Sequence, residues 1–176
     1  MARYTIVAAR SGLTARARSS LHPIQAETGE LAGEIHAEMA DGRVDTGLPA
    51  SAHVELAVGS LRADNPLVNR EIQNRLDARR FPTVTAEISS VTGPRADGEY
   101  DLEGELTLRR VTRPVTARAV LVASDDRTLE VTGELTLDVR DFQLDPPKLF
   151  GLRVHPDVAV TVRIVATAEH DPTRRS

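Results

Sequence analysis

The chain has no cysteine and no tryptophan among its 176 residues, and aromatic side chains of all kinds make up 3%. Without cysteine, disulfide staples, thiolate metal sites and cysteine nucleophiles are excluded, and the redox compartment stays open. With so few rings, neither the stacking platforms that hold single-stranded nucleic acid nor the interfacial belts of membrane proteins can be built. An excess of charge of one sign is also missing. The 22 basic residues, all arginine except Lys148, stand against 26 acidic ones with the two signs interspersed, so electrostatic capture of nucleic acid or of an anionic membrane is not expected. No apolar run spans a bilayer. The opening MARYTIVAAR enters apolar-polar alternation at once, without the apolar core of a signal peptide, and the expected localisation is therefore cytoplasmic.

What the chain does have is a period of two. From Glu99 to Arg109, Tyr100, Leu102, Gly104, Leu106 and Leu108 point one way and Glu99, Asp101, Glu103, Glu105 and Thr107 the other, as in a strand with one side in water. The same alternation marks Leu13 to Ala17, Leu31 to Met39, Ala52 to Val58, Val84 to Ile88, Val115 to Leu121, Leu129 to Val139 and Val158 to Ile164, with a short strand at Tyr4 to Val7. Turn-rich pieces such as Ala40-Asp41-Gly42-Arg43 join these strands, and short turns make antiparallel neighbours. One segment departs from the rhythm. Asp64-Asn65-Pro66 offers a cap and a first-turn proline, Val68, Ile72 and Leu76 recur every four residues, and Phe81-Pro82 ends the run, which predicts a helix over Pro66–Arg79. No linker divides the chain, so a single domain is expected over 1–169, followed by a disordered polar tail over 170–176.

The pentapeptide GELTL occurs twice, at Gly104–Leu108 and Gly133–Leu137, each time in mid-strand with Leu toward the core. The repeat is a shared structural task, not a duplicated active site. Its glycine, like Gly33, lies on the inward face, where a glycine marks a bend, a bulge or a close approach. Bends let a sheet curl and close, which favours a barrel of about eight antiparallel strands with one helix in a long connection. Such a lumen is just wide enough to be packed by side chains or to hold one small ligand. Here its inward residues include many alanines, so either an apolar guest occupies the space or the walls close on each other as in a sandwich.

Chemistry-bearing motifs are sparse. There is no G-x-S-x-G elbow and no P-loop. His36 with Glu38 and His53 with Glu55 sit on outward strand faces and are the only arrangement from which a zinc site or a small histidine-based hydrolase or isomerase would be built; solvated strand polarity accounts for them equally, and no metal ligand or catalytic residue is assigned. Arg109, Arg110 and Arg113 cluster at a turn, either as a solvated turn or facing a lipid headgroup at a barrel mouth. Phe142–Gly151, with Pro146-Pro147, is read as a lid over one mouth or a plain surface loop.

The string Gly104-Glu105-Leu106-Thr107-Leu108-Arg109-Arg110-Val111-Thr112-Arg113-Pro114-Val115 resembles the signature strand and turn of the YceI-like family, G-x-L-T-I-x-G-V-T-K-P-V. In the same order, Arg10-Ser11-Gly12-Leu13 resembles the family's H-S-x-V, Phe81-Pro82-Thr83-Val84-Thr85 its Y-P-T-I-T, and Arg140-Asp141-Phe142-Gln143-Leu144 its S-D-F-G-L. The resemblance runs from Tyr4 to Glu169 and implies an all-β, lipocalin-like antiparallel barrel of eight strands that binds a polyisoprenoid or similar lipid in its lumen, with no cofactor and no catalytic residues. Many members are exported. This chain departs from the pattern at Arg10 for histidine, at Arg110 and Gln143 for glycine, and at Ala15 and Ala86 for aromatics; loss of the two rings either widens the tunnel or lets it collapse.

The expected lumen contacts are Leu13, Ala15, Leu31, Ile35, Met39, Val54, Leu56, Ala86, Leu102, Leu106, Leu135 and Phe142, with Arg109 and Arg113 toward a headgroup. The expected function is sequestration or carriage of one long-chain isoprenoid or similar lipid without chemistry. A ligand-free barrel acting as an interaction module is the alternative, and a homodimer stays open.

Overall fold

A computed structural model describes residues 2–146, 148–149 and 151–169. The expected tail over 170–176 lies outside the described residues, as do Pro147 and Phe150 of the expected lid.

Eight antiparallel strands close on themselves in chain order. β1 is formed by Ala2–Ile6 and Gly12–Ser19, β2 by Ile24–Thr28 and Leu31–Ala37, and β3 by Ser51–Ala57 and Arg62–Ala63. β4 (Thr83–Thr92), β5 (Glu99–Leu108), β6 (Val111–Asp125), β7 (Thr128–Asp138) and β8 (Leu152–Ala168) are continuous. Each pairs with the next, as in Ile35 with Ala52, Val54 with Ala86, Leu102 with Ala117 and Leu135 with Val160. β8 returns to β1 through Val160 with Ala15 and Ala166 with Ile6, which closes the barrel and leaves no long free edge.

The first three strands break where the wall must turn sharply. β1 is interrupted by a 3₁₀ turn at Ala8–Arg10 and β3 by another at Val58–Ser60. At the first break Ser11 replaces the missing ladder: the Val165 N–H donates to its Oγ at 3.0 Å, and its own hydroxyl donates to the Val7 carbonyl at 2.8 Å. Since a buried N–H without an acceptor costs about 1–3 kcal/mol, this small side chain is what permits the bend.

The strand Ile24–Thr28 is absent from the periodic reading. Its inward face carries Ala26 and Thr28, both buried, and the Thr28 hydroxyl satisfies itself against Ser60 Oγ at 2.6 Å. Met39 also departs from expectation. β2 stops at Ala37, and Met39 enters a separate small hairpin, Met39–Ala40 with Arg43–Val44, turned by Asp41 and Gly42 at φ 52° and 76°.

α1 (Pro66–Arg75) begins where expected: the Leu67 N–H donates to Asn65 Oδ1 at 2.8 Å, and Pro66 sits at the first helical position. It ends four residues before Arg79. Asp77 takes φ 51°, with Ala78 N–H donating to the Gln73 carbonyl and Asp77 N–H to that of Asn74, the pattern of a Schellman cap with aspartate in the place usually held by glycine. No described helix is long and apolar enough to cross a membrane.

In a closed meander, successive connections alternate between the two ends of the barrel. Residues 20–23, the α1 segment, the Arg109-Arg110 turn and the stretch between β7 and β8 therefore share one end, called here the helix end. The chain termini, the Met39–Val44 hairpin and the turns at 93–98 and 126–127 share the other.

The candidate ligand slot and its rim

The inward side chains of the barrel leave a cavity of about 270 Å³ with apolar walls. Its wall extends from Val91, Leu121 and Leu129 near one end to Leu108, Val115 and Leu137 near the other. At about 3.3 Å per residue the stretch of β7 from Leu129 to Leu137 measures about 26 Å, and a strand tilt of about 40° leaves about 20 Å of axial depth. A volume of 270 Å³ over that depth has an average section of about 13 Å². The space is a slot, below the roughly 300–1,000 Å³ of chambers that take compact ligands.

Nine of the twelve expected contacts border this slot: Leu13, Ala15, Ile35, Val54, Leu56, Ala86, Leu102, Leu106 and Leu135. Three do not. Leu31 is buried in the core away from the cavity wall, Met39 packs against the core from the small hairpin, and Phe142 is buried in a 3₁₀ turn, Val139–Phe142, that follows β7. Leu61 joins the wall from the break within β3, Leu76 from the long connection between β3 and β4, and Val44 from the small hairpin. Leu76 belongs to the four-residue stripe that marks α1, whereas no periodic signal points to Leu61 or Val44.

The repeated glycine divides its roles. A Cβ on Gly104 would lie 2.0 Å from the Glu87 carbonyl oxygen, and one on Gly33, at φ 133°, 1.9 Å from that of His53, so both mark places where two backbones meet. A Cβ on Gly133 would make ordinary contacts with Val162 and Ala119. Gly133 is no bend; it borders the slot and adds width.

Toward the end opposite the helix, Tyr100 carries the register of Leu102, Leu106 and Leu108 one step further. It is 1% exposed, and its hydroxyl has no hydrogen-bond partner among the described residues.

At the helix end, beyond Leu108 of the slot wall, three arginines gather on one aromatic ring. Arg80, Arg109 and Arg110 place their guanidinium carbons 5.5, 5.9 and 5.3 Å from the centroid of the Phe81 ring, all within cation–π range. Arg109 holds φ 57°, so the hairpin turn has its left-handed residue one position before Arg110, where the family motif has glycine. Arg113 does not join the ring. Its Nε donates to the Asp141 carbonyl at 2.9 Å.

The histidines are engaged elsewhere. His53 directs Nε2 to Glu55 at 2.9 Å and Nδ1 to Glu87, and these hydrogen bonds, that to Glu55 first, raise its pKa above the ordinary histidine value. His36 Nε2 contacts Glu34 at 3.0 Å, and Glu34 in turn accepts from Arg3 Nε at 2.6 Å; His36 and Arg3 together hold the Glu34 carboxyl below its usual range. Among the described residues no group of three or more His, Asp and Glu side chains is placed to hold a metal. His36 and His53 do not converge on a shared point: each is taken up by carboxylates on the outer wall.

Several solved structures share this architecture. A Burkholderia cenocepacia protein, BcnA, superposes with a TM-score of 0.75 at 19% identity, covering 92% of this chain and 99% of its own. A polyisoprenoid binding domain from Saccharophagus degradans gives 0.76 at 15% identity, covering 96% and 100%. The YceI protein of Campylobacter jejuni gives 0.66 at 13% identity, covering 82% and 85%. At such identities the likeness is one of fold. No curated protein matches the chain. The YceI-like domain model matches residues 4–166, from the first residues of β1 almost to the end of β8, and on that match the chain belongs to the YceI-like family.

Proposed function

We propose that this protein sequesters or carries a single long apolar molecule, a polyisoprenoid or a lipid of similar shape, in the barrel slot and performs no chemistry on it. The observation that carries this reading is the shape and lining of the cavity: about 270 Å³ drawn out between opposite ends of the barrel behind apolar walls. At about 24 cal/mol per Å³, a void of that size corresponds to about 6 kcal/mol, comparable with the entire stability of many domains. A guest hydrocarbon removes that penalty and gains about 0.8 kcal/mol for each methylene it buries. The domain from Saccharophagus degradans, described as polyisoprenoid binding, has the same fold and supports the same class of ligand. An enzymatic reading has less to draw on, because both ring nitrogens of His53 are already committed to carboxylates.

Native mass spectrometry tests the proposal, first on freshly purified protein and then after solvent extraction and exposure to farnesol and longer polyprenols. The expected result is one lipid per barrel, lost on extraction and regained on exposure, with a higher Tm in the loaded form. A barrel that stays empty under every condition overturns the carrier reading and favours the interaction module.

A further inference from the structure

We infer that an outer patch beside the first turn of α1 docks on the surface of an anionic lipid bilayer, with Leu21 and Leu67 inserted among the acyl chains and Arg18, Arg70 and Arg153 set against the acidic surface. The patch lies outside the barrel, and the inference does not depend on what the slot holds.

Among the described residues five large apolar side chains are strongly exposed: Leu21 at 80%, Leu67 at 51%, Leu48, Val120 and Val122. Their surroundings sort them by charge. On the outer wall Val120 pairs with Glu99 and Val122 with Glu130, and Leu48 donates its N–H to the Asp45 carbonyl, so each of these three has an acid for a neighbour. Leu21 and Leu67 lie elsewhere, on adjoining connections. The Ile24–Thr28 part of β2 pairs with the Arg62–Ala63 part of β3, Ala26 opposite Ala63, so the turn at 20–23 and the start of α1 leave the sheet side by side. Arg18, Arg70 and Arg153 are exposed around them. The ion pairs of this end join Arg75 to Glu71, Arg80 to Asp77 and Arg140 to Asp138, and among the described residues they leave those three arginines without a carboxylate. Asp64, at the foot of α1, is the acid nearest Leu67 in sequence.

Both leucines are fixed in an outward position. Ser19 Oγ accepts from the Leu21 N–H at 3.4 Å and from the His22 N–H at 3.2 Å. The Ser20 N–H donates to the Arg153 carbonyl at 3.0 Å, which ties the turn to β8 and brings Arg153 beside it. Leu67 stands in the first turn of α1, its own N–H held by the Asn65 cap. An apolar side chain presented to water gains nothing for the fold, whereas acyl chains remove it from water. Basic neighbours add attraction to a negative surface, the combination by which proteins lie on membranes without crossing them. Along the sequence the two signs of charge are interspersed and the chain carries a net −4, which argues against such capture. The fold reverses that expectation locally, because it sets unpaired cations beside these two leucines and acids beside the other three exposed apolar chains.

Sedimentation with vesicles tests the patch, using phosphatidylcholine alone and phosphatidylcholine with about a quarter phosphatidylglycerol. The full chain is expected to bind the mixed vesicles at low salt at least about tenfold better than the neutral ones, and to be released as salt is added. Leu21→Ser with Leu67→Ser should weaken that binding about tenfold. Arg18→Gln, Arg70→Gln and Arg153→Gln together should weaken it on the order of a hundredfold, at about fivefold each. Val120→Ser with Val122→Ser should bind as the parent does, and an unchanged Tm verifies that each variant is folded. The chain has no tryptophan, so Leu21→Trp supplies a single reporter, whose emission should shift to the blue on mixed vesicles while that of Val122→Trp stays. Absence of binding to mixed vesicles at low salt, or an equal loss in the valine pair, overturns the inference. Binding with an unshifted Leu21→Trp emission overturns it too, since the contact would then be one of charge without insertion. Loading of the slot with farnesol from solution should be the same in all these variants, so failure of the patch and failure of the slot reading are told apart.

Discussion

Gly104 on β5 lies against Ile88 on β4 so closely that a methyl group on Gly104 would come within 2.8 Å of the Ile88 Cα and 2.0 Å of the preceding carbonyl oxygen. The register slips at the same point: Glu103 pairs with Ser90 and Gly104 with Ile88, so one residue of β4 is left over as a bulge. A bulge raises local twist and bends the strand, and here it does so beside the slot.

Gly104→Ala should therefore cost about 3 kcal/mol, at the upper end of what overpacking does, because the obstruction is backbone and has no rotamer to move. Gly133→Ala, in the second copy of GELTL, should cost less than about 1 kcal/mol, since its new methyl meets only ordinary contacts. Urea unfolding of the two variants measures the difference directly.

Ala86 pairs with Val54 on one side and Leu106 on the other, and all three border the slot. Ala86→Phe should lower lipid uptake at least tenfold and leave the circular dichroism spectrum unchanged. Filling even about 50 Å³ of void at about 24 cal/mol per Å³ recovers about 1 kcal/mol, so the unloaded variant should melt slightly higher than the unloaded parent. Uptake at the parental level would place the chain elsewhere in the barrel.

Tyr100 buries a hydroxyl that no described group receives. Replacing it by phenylalanine keeps the ring and removes the desolvation cost, so Tyr100→Phe should raise stability by about 1 kcal/mol in denaturant unfolding. A loss of stability instead would mean that the hydroxyl is hydrogen-bonded in solution.

His53 is held between Glu55 and Glu87, and its folded-state pKa is raised above the unfolded value of about 6.5. A raised histidine pKa contributes stability that is fully present below about pH 6.5 and lost as the pH climbs through the folded value. Tm should accordingly fall on going from slightly acidic to slightly alkaline buffer, and His53→Gln should flatten that slope. An unchanged slope in the variant would assign the pH dependence to another group.

Much of the barrel is readable from the chain because a strand's inward and outward residues differ by one step, and water on one side enforces the alternation locally. Where the inward face is itself small or polar, as at Ala26 and Thr28, that signal fades and the strand is missed. The end of α1 was hidden for a related reason: the apolar stripe through Leu76 carries no mark of the left-handed turn at Asp77. The nine slot residues followed from their parity on the strands. Leu31, with the same parity, packs in solid core instead, because which inward side chains meet and which stand apart depends on curvature and on neighbours from distant segments.

The sequence by itself determined an antiparallel arrangement of alternating strands, the face each strand turns inward and the absence of thiol chemistry, since alternation and composition are local properties. Only the tertiary structure decided that a thin apolar slot survives between the walls, that Gly104 bends while Gly133 widens, that His53 binds a glutamate from another strand, and that Arg80, Arg109 and Arg110 gather on Phe81. Each of these joins residues far apart in the chain, and their meeting is set by register and closure of the barrel, which no single segment carries.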